Sequence, residues 1–231
     1  MITFRNDMAV ELIDFMGDEE RIVEAAQVST KGSRAKGEKK PWLVKWLYRE
    51  RHASPFEHCV MTFRIEAPIF ITREILRHRI SSFNEESGRY RVLRGEFYAP
   101  NKDRKLAQIG KVGNYEFVPG NRRQKLAVAA ATRMAPQFSW LAYKLMIGAG
   151  VSREISRVVL PVSIYSSMYY TANLRSLLNF LSLRVDWGED AHIRSHPQAE
   201  IEEVAVKIGL AIQEKYPNVW ESFAENGYQA V

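Results

Sequence analysis

Polar and apolar positions alternate along Cys59–Glu66: Cys59, Met61, Phe63 and Ile65 fall on one side, and Val60, Thr62, Arg64 and Glu66 on the other. A period of two predicts a strand with one buried face. Upstream, Trp42, Leu43, Trp46 and Leu47 behind Pro41 predict an amphipathic helix with proline in its first turn. It should end before Ser54-Pro55, because a residue preceding proline avoids the helical region. Downstream, a helix is expected from Ile69 to about Arg77, and a second strand over Arg89 to Phe97. Lys102 to Asn121, with its glycines and Pro119, reads as a long irregular connection. Gln124 to Met146 follows helical spacing, with Met134, Phe138, Leu141 and Leu145 in one stripe and a kink or break expected at Pro136. Then come a short helix over Ser152–Val159, a strand over Pro161–Thr171, a helix over Asn173–Val185 and a last long helix over Glu200–Lys215. Strands and helices mix without a βαβ rhythm, which favours an α+β fold over a doubly wound sheet. No repeat or long linker divides residues 1–231, so a single domain is expected.

Composition narrows the class. The 231 residues are 46% hydrophobic, normal for a soluble globular chain and enough to build a core without disulfides. The single cysteine, Cys59, excludes an internal disulfide framework and a cysteine-cluster metal site. No apolar run approaches the ~20 residues of a membrane span, and the first residues show no signal-peptide pattern. A cytosolic protein with no membrane partner is expected. The net charge of +6, from 33 basic and 27 acidic residues, is modest. It is uneven, however: Lys31–Lys40 reads KGSRAKGEKK, either a solvated surface loop or a rim that attracts phosphate.

Four polar segments carry the candidate chemistry. Arg77–Tyr90 holds three arginines, His78, Asn84, Glu85, Glu86 and three serines directly after core-forming sequence. Guanidinium forks grip phosphate or carboxylate with paired hydrogen bonds, so an anionic ligand such as a nucleotide is one reading; a solvated strip touching nucleic acid is the other. The acidic residues and sparse aromatics argue against a nucleic-acid platform. No GxGxxG or Walker-type glycine loop is present, so a nucleotide site must rely on side chains. In Arg51–His58, His52 and His58 cannot share a helix face across Pro55, which disfavours a metal; a polar turn, or a ligand-facing Ser54 hydroxyl, remains. In Asn173–Arg184, Leu174, Leu177, Leu178 and Leu181 form a core stripe, while Arg175, Asn179 and Ser182 face the other way and Asn173 suits the N-cap. In Arg153–Pro161, Glu154 is expected to pair with Arg153 or Arg157, with anion binding as the alternative.

Together these segments resemble the flavin-dependent thymidylate synthases. The carriers are Arg77-His78-Arg79 followed after seven residues by Ser87; His52, Ser54, Glu57 and His58; the run from Asn173 to Arg184; and Arg157 to Pro161. The resemblance implies an α+β fold with a mostly antiparallel central sheet flanked by helices, and a homotetramer whose active sites are shared between subunits. It implies reductive methylation of dUMP to dTMP, with methylenetetrahydrofolate as carbon donor and NADPH reducing a bound FAD. Carried over by motif position, FAD would meet Ser54, Arg77, His78, Arg79, Glu85, Asn173, Arg175 and Asn179. The substrate dUMP would meet Glu74, Arg77, Glu85, Glu86, Ser87, Gly88, Arg89, Arg157 and Arg184. Arg184 would polarise the uracil ring and favour its ionisation, which removes the need for a catalytic thiol. Ser87 has no adjacent base in sequence, so a binding contact suits it better than a nucleophilic role. Glu74 stands where the family often has glutamine, and a pairing with Arg73 or Arg77, or with a donor on the ring, is expected. A degenerate paralogue that binds flavin without turnover is the competing enzyme-fold reading.

Overall fold

The computed structural model describes residues 1–111 and 114–231. The strands are β1 (Thr3–Arg5), β2 (Ala9–Met16), β3 (Val60–Pro68), β4 (Ser82–Glu85), β5 (Glu96–Tyr98), β6 (Ala107–Lys111), β7 (Asn114–Val118) and β8 (Tyr165–Asn173). The helices are α1 (Glu19–Lys31), α2 (Pro41–Arg49), α3 (Ile69–Ile75), α4 (Arg122–Gly148), α5 (Arg153–Ser156), α6 (Leu174–Arg184), α7 (Ala199–Lys215) and α8 (Pro217–Glu225). The fold is mixed α+β. Two compact units can be separated: one of residues 1–7, 67–70 and 86–166, the other of residues 8–66, 71–85 and 167–231.

The second unit is built on a four-stranded sheet in the order β2-β3-β8-β4. Both β2–β3 and β4–β8 run antiparallel. The alternation in β3 does what its pattern requires: Cys59, Met61, Phe63 and Ile65 are all fully buried. Helix α6 buries Leu174, Leu177, Leu178 and Leu181, joined by Phe180. Its N-cap is Asn173, whose side chain accepts from the Ser176 amide at 2.9 Å. Helix α1 is capped in the same way by Asp18, with Glu19 and Glu20 in its first turn opposite the helix dipole.

The first unit contains the pairs β1–β5 and β6–β7. The β1–β5 pair is parallel, so the expected antiparallel pattern holds for the larger sheet but not for this ribbon. Residues Tyr90–Gly95 are not a strand; only Glu96–Tyr98 pairs, and Tyr90 and Arg91 instead turn back with their amides on the Ser87 carbonyl. Lys102–Asn121 is likewise not an irregular connection throughout. It holds the antiparallel β6–β7 ribbon, with Gly110 at φ +91 inside β6. Residues 112 and 113 of that stretch lie outside the described residues. Helix α4 runs unbroken through Pro136, so the expected break is absent. Its stripe of Met134, Phe138, Leu141 and Leu145 is exposed, each residue by half or more.

Candidate active site

The turn after α3 and the outer face of α6 line a common cavity in the second unit. Helix α3 closes with the Arg77 and His78 amides donating to the Glu74 and Ile75 carbonyls. That turn leaves Arg77, Arg79 and Ile80 exposed and His78 half-buried. Burying one face of α6 leaves Arg175 and Asn179 on the other, one helical turn apart. The cavity, about 620 Å³, is lined by Arg77, His78, Arg79, Arg175, Asn179 and Arg184, with Glu57 and the backbone end Ala230–Val231 on its wall. Its size lies within the range of small-molecule sites. Four arginines against a single acidic wall residue give it a cationic lining suited to an anionic ligand rich in acceptors.

Arg184 is anchored through two of its nitrogens. Its Nε donates to Nε2 of His78 at 3.1 Å, and its Nη1 donates to Oε2 of Glu74 at 2.9 Å. The Arg184 side chain keeps 17% of its surface exposed. Accepting at Nε2 requires a neutral imidazole with its proton on Nδ1. Burial, reinforced by the Arg184 cation, pulls the His78 pKa down to about 4, consistent with that state. Phe180 meets the imidazole edge-on at 4.7 Å, and Ser81 Oγ donates to the His78 carbonyl. The expectation that Glu74 pairs with Arg73 or Arg77 is therefore corrected: its partner is Arg184, across 110 residues of sequence. Burial pushes the Glu74 carboxyl above the usual value despite this bridge, with Glu200 adding to the rise and Arg184 opposing it.

The other residues suggested for flavin contact divide. Arg175 lies in the cavity, where Nη1 donates to Glu57 at 2.6 Å and Nε to the Val231 carbonyl at 3.2 Å. Ser54 is exposed but does not line the cavity; Glu57, from the same 3-10 turn (Ser54–His58), does. Asn173 spends its side chain on the α6 cap. Glu85 accepts from the Thr72 hydroxyl at 3.2 Å and is also outside the lining. Sequence reasoning missed Ser176, Ile80, Leu183 and the Ala230–Val231 wall. Ser176 and Leu183 were legible from helical spacing. The wall had no signal, because it depends on distant partners: Ser182 Oγ accepts from the Ala230 amide, and Arg51 and Tyr48 donate to the carbonyls of Ala230 and Gln229.

In the first unit, Gly88 packs against Arg157: a Cβ on Gly88 would stand 3.1 Å from Leu93 Cδ1 and 3.2 Å from Arg157 Cδ. Ser87 Oγ accepts from the Arg89 amide at 3.3 Å. Glu154 approaches Arg89 at 3.5 Å, which corrects the expected pairing with Arg153 or Arg157. Glu86 is largely buried between Arg91 at 3.2 Å and Arg94 at 3.9 Å. Its Oε1 sits at ion-pair distance from Arg91 and, among the described residues, has no hydrogen bond of good geometry, so the attraction is electrostatic. Thus Glu86, Ser87, Gly88, Arg89 and Arg157 belong to this unit, and Glu74, Arg77, Glu85 and Arg184 to the other.

Cys59 is inert. It is fully buried, its Sγ donates to the Asp18 carbonyl at 3.3 Å, and burial pushes its pKa up to about 12. His52 stacks on Trp46 with centroids 5.0 Å apart. Among the described residues no group of three or more His, Cys, Asp or Glu stands together as a metal site, and no helix is long and apolar enough to cross a membrane.

The chain is similar to known proteins along almost its whole length. The flavin-dependent thymidylate synthase of Streptomyces avermitilis is 44% identical over 97% of this chain and 94% of its own length. That of Tropheryma whipplei (strain TW08/27) is 41% identical over 97% of this chain and 95% of its own. The crystal structure of a UMP/dUMP methylase, PolB from Streptomyces cacaoi, bound with 5-Br UMP, matches with a TM-score of 0.91 and 42% identity. It covers 100% of this chain and 99% of that one; the same enzyme bound with 5-Br dUMP matches equally. The family model described as thymidylate synthase complementing protein (Thy1) matches residues 11–218, and the chain belongs to that family.

Proposed function

We propose that the protein is a flavin-dependent thymidylate synthase, converting dUMP to dTMP with methylenetetrahydrofolate as carbon donor and NADPH as reductant through bound FAD, in dTMP biosynthesis. The observation that carries the reading is the convergence of Arg77, His78 and Arg79 with Arg175, Asn179 and Arg184 around one cationic cavity. This donor set fits a flavin nucleotide: Arg77, Arg79 and Arg175 offer charged forks to its phosphates, and His78 and Asn179 offer ring partners. When bound and reduced, FAD supplies the hydride that takes the transferred one-carbon unit to a methyl group.

The remaining work falls to the chain's own side chains. Carbon 5 of uracil is a weak nucleophile, and the buried Cys59 thiol cannot add to the ring to activate it. Arg184 answers that need: its unengaged Nη2 donors favour an ionised uracil and so raise electron density at carbon 5. Ser87, Gly88, Arg89 and Arg157 supply phosphate contacts, and Glu85 and Glu86 supply acceptors for ring or sugar donors. The chain works as one functional domain, 1–231. The exposed α4 stripe supports assembly as a homotetramer, through which residues of different subunits complete each site. The single unpaired cysteine fits a cytosolic enzyme.

A narrower alternative concerns the sugar. The similar structures with bound 5-Br UMP and 5-Br dUMP are of a UMP/dUMP methylase, so UMP is a second candidate substrate with identical ring chemistry. Purified protein, FAD, methylenetetrahydrofolate and NADPH incubated with dUMP or UMP decide both questions by product mass. A methylated deoxynucleotide is expected. Methylation of UMP at comparable kcat/KM would establish the dual-substrate reading, and no methylated product from either would overturn the proposal.

A further inference from the structure

We propose that Arg51 is a positioning residue for the cofactor cavity, acting through the segment Gln229–Val231, an inference that rests on the flavin reading of that cavity above. Ala230 and Val231 form part of the cavity wall. Arg51 stands outside the lining and reaches the wall from the end of α2, its Nη1 donating to the Ala230 carbonyl at 2.9 Å. Tyr48, in the last turn of α2, donates its hydroxyl to the Gln229 carbonyl at 3.0 Å. The main-chain oxygen of Val231 in turn accepts from Nε of Arg175 at 3.2 Å, while Glu57 accepts from Nη1 at 2.6 Å. The wall therefore orients a cavity arginine. With Nε and Nη1 of Arg175 engaged, Nη2 is the part of the fork left for an anion.

The backbone at Arg51 points the same way. Helix α2 closes with the Arg51 amide donating to the Tyr48 carbonyl at 3.1 Å and the His52 amide to the Leu47 carbonyl at 2.9 Å. That paired closure turns on one left-handed residue, most often glycine. Arg51 fills the position at φ +62. Among the described residues one other non-glycine residue has a positive φ, Tyr228 at +54. It leads into the same wall segment, with its ring stacked on Trp187 at a centroid distance of 3.9 Å. Both left-handed side chains thus support one wall. A side chain at such a position carries strain that glycine would avoid. At Arg51 that side chain supplies a charge-assisted bond to the wall. A wall held in place before the cofactor arrives lowers the ordering cost of binding it.

The test is the rate of FAD release from the loaded full chain on dilution, followed by flavin fluorescence, with the thermal midpoint of the flavin-free chain recorded for each variant. Arg51→Gly relieves the backbone strain while removing the bond to the wall. It should release FAD about fivefold faster or more, with the flavin-free midpoint unchanged within about 2 °C. Arg51→Lys keeps a cationic donor and should hold FAD nearly as well as wild type. Tyr48→Phe removes the neighbouring wall bond without changing charge and should also speed release, which separates an effect through the wall from one of charge alone. Wild-type release from Arg51→Gly would overturn the proposal. So would faster release that comes only with a lowered midpoint and is not recovered in Arg51→Lys. A wild-type chain that takes up no FAD would instead overturn the flavin reading itself, so the two failures are distinguishable.

Discussion

Arg184 donates through Nε to Nε2 of His78 at 3.1 Å, joining the last residue of α6 to the turn that follows α3. The bond specifies the tautomer of the histidine and fixes one edge of the arginine. It also draws together two sequence motifs whose separate readings were equivocal.

Replacing the arginine tests what that edge is for. Arg184→Ala should lower dTMP formation by a factor of about 10²–10³, the range for losing one preorganised oxyanion-type donor. Flavin should stay bound, because Arg77, Arg79 and Arg175 remain. Stopped turnover assays and the visible flavin spectrum check the two halves. Arg184→Lys should rescue little, since a point charge cannot reproduce the fork.

His78 makes stability depend on pH in a definite direction. Its folded pKa is about 4, below the ordinary value of 6.5, because burial disfavours the charged ring. Between those values the unfolded chain takes up a proton that the folded one refuses. Stability from this group is therefore fully present above pH 6.5 and declines as pH falls toward 4. Urea midpoints at neutral and mildly acidic pH should show that decline in wild type and less of it in His78→Gln.

Gly88→Ala should weaken nucleotide binding without removing flavin. The new methyl group would press on Leu93 and on the Arg157 side chain at 3.1 and 3.2 Å. Overpacking of this kind costs about 1–3 kcal/mol, so KM for dUMP should rise roughly tenfold if Arg157 is what yields. Isothermal titration with dUMP measures it directly.

The α4 stripe predicts assembly. Phe138 is 68% exposed and Leu141 56%, and a face this apolar is unfavourable in water. A Phe138→Glu, Leu141→Lys double variant should shift the mass in light scattering from a multiple of the 26.6 kDa chain toward a single chain, with activity lost in parallel.

The parts of the fold legible in sequence were those where periodicity and burial agree. Strand β3 and helix α6 each bury one face fully and leave the other more open, so Cys59–Ile65 and Leu174–Leu181 carried their own assignment. The β6–β7 ribbon was missed because Gln108 to Lys111 are exposed on both faces and a glycine interrupts them. The α4 stripe had the right spacing, but spacing cannot tell a face that packs within the chain from one left exposed. In the site, the arginines and His78 were visible as a motif. Their anchoring was not: the Glu74–Arg184 and Arg175–Glu57 bridges join distant elements, and only the folded geometry decides between the neighbouring arginines.

The most direct test of the account is tritium release from dUMP labelled at carbon 5, using the purified FAD-loaded protein. Release that requires both methylenetetrahydrofolate and a flavin reductant, survives Cys59→Ala and falls by a factor of about 10²–10³ in Arg184→Ala is the predicted result. Release that persists at the wild-type rate in Arg184→Ala, or that depends on Cys59, would contradict it.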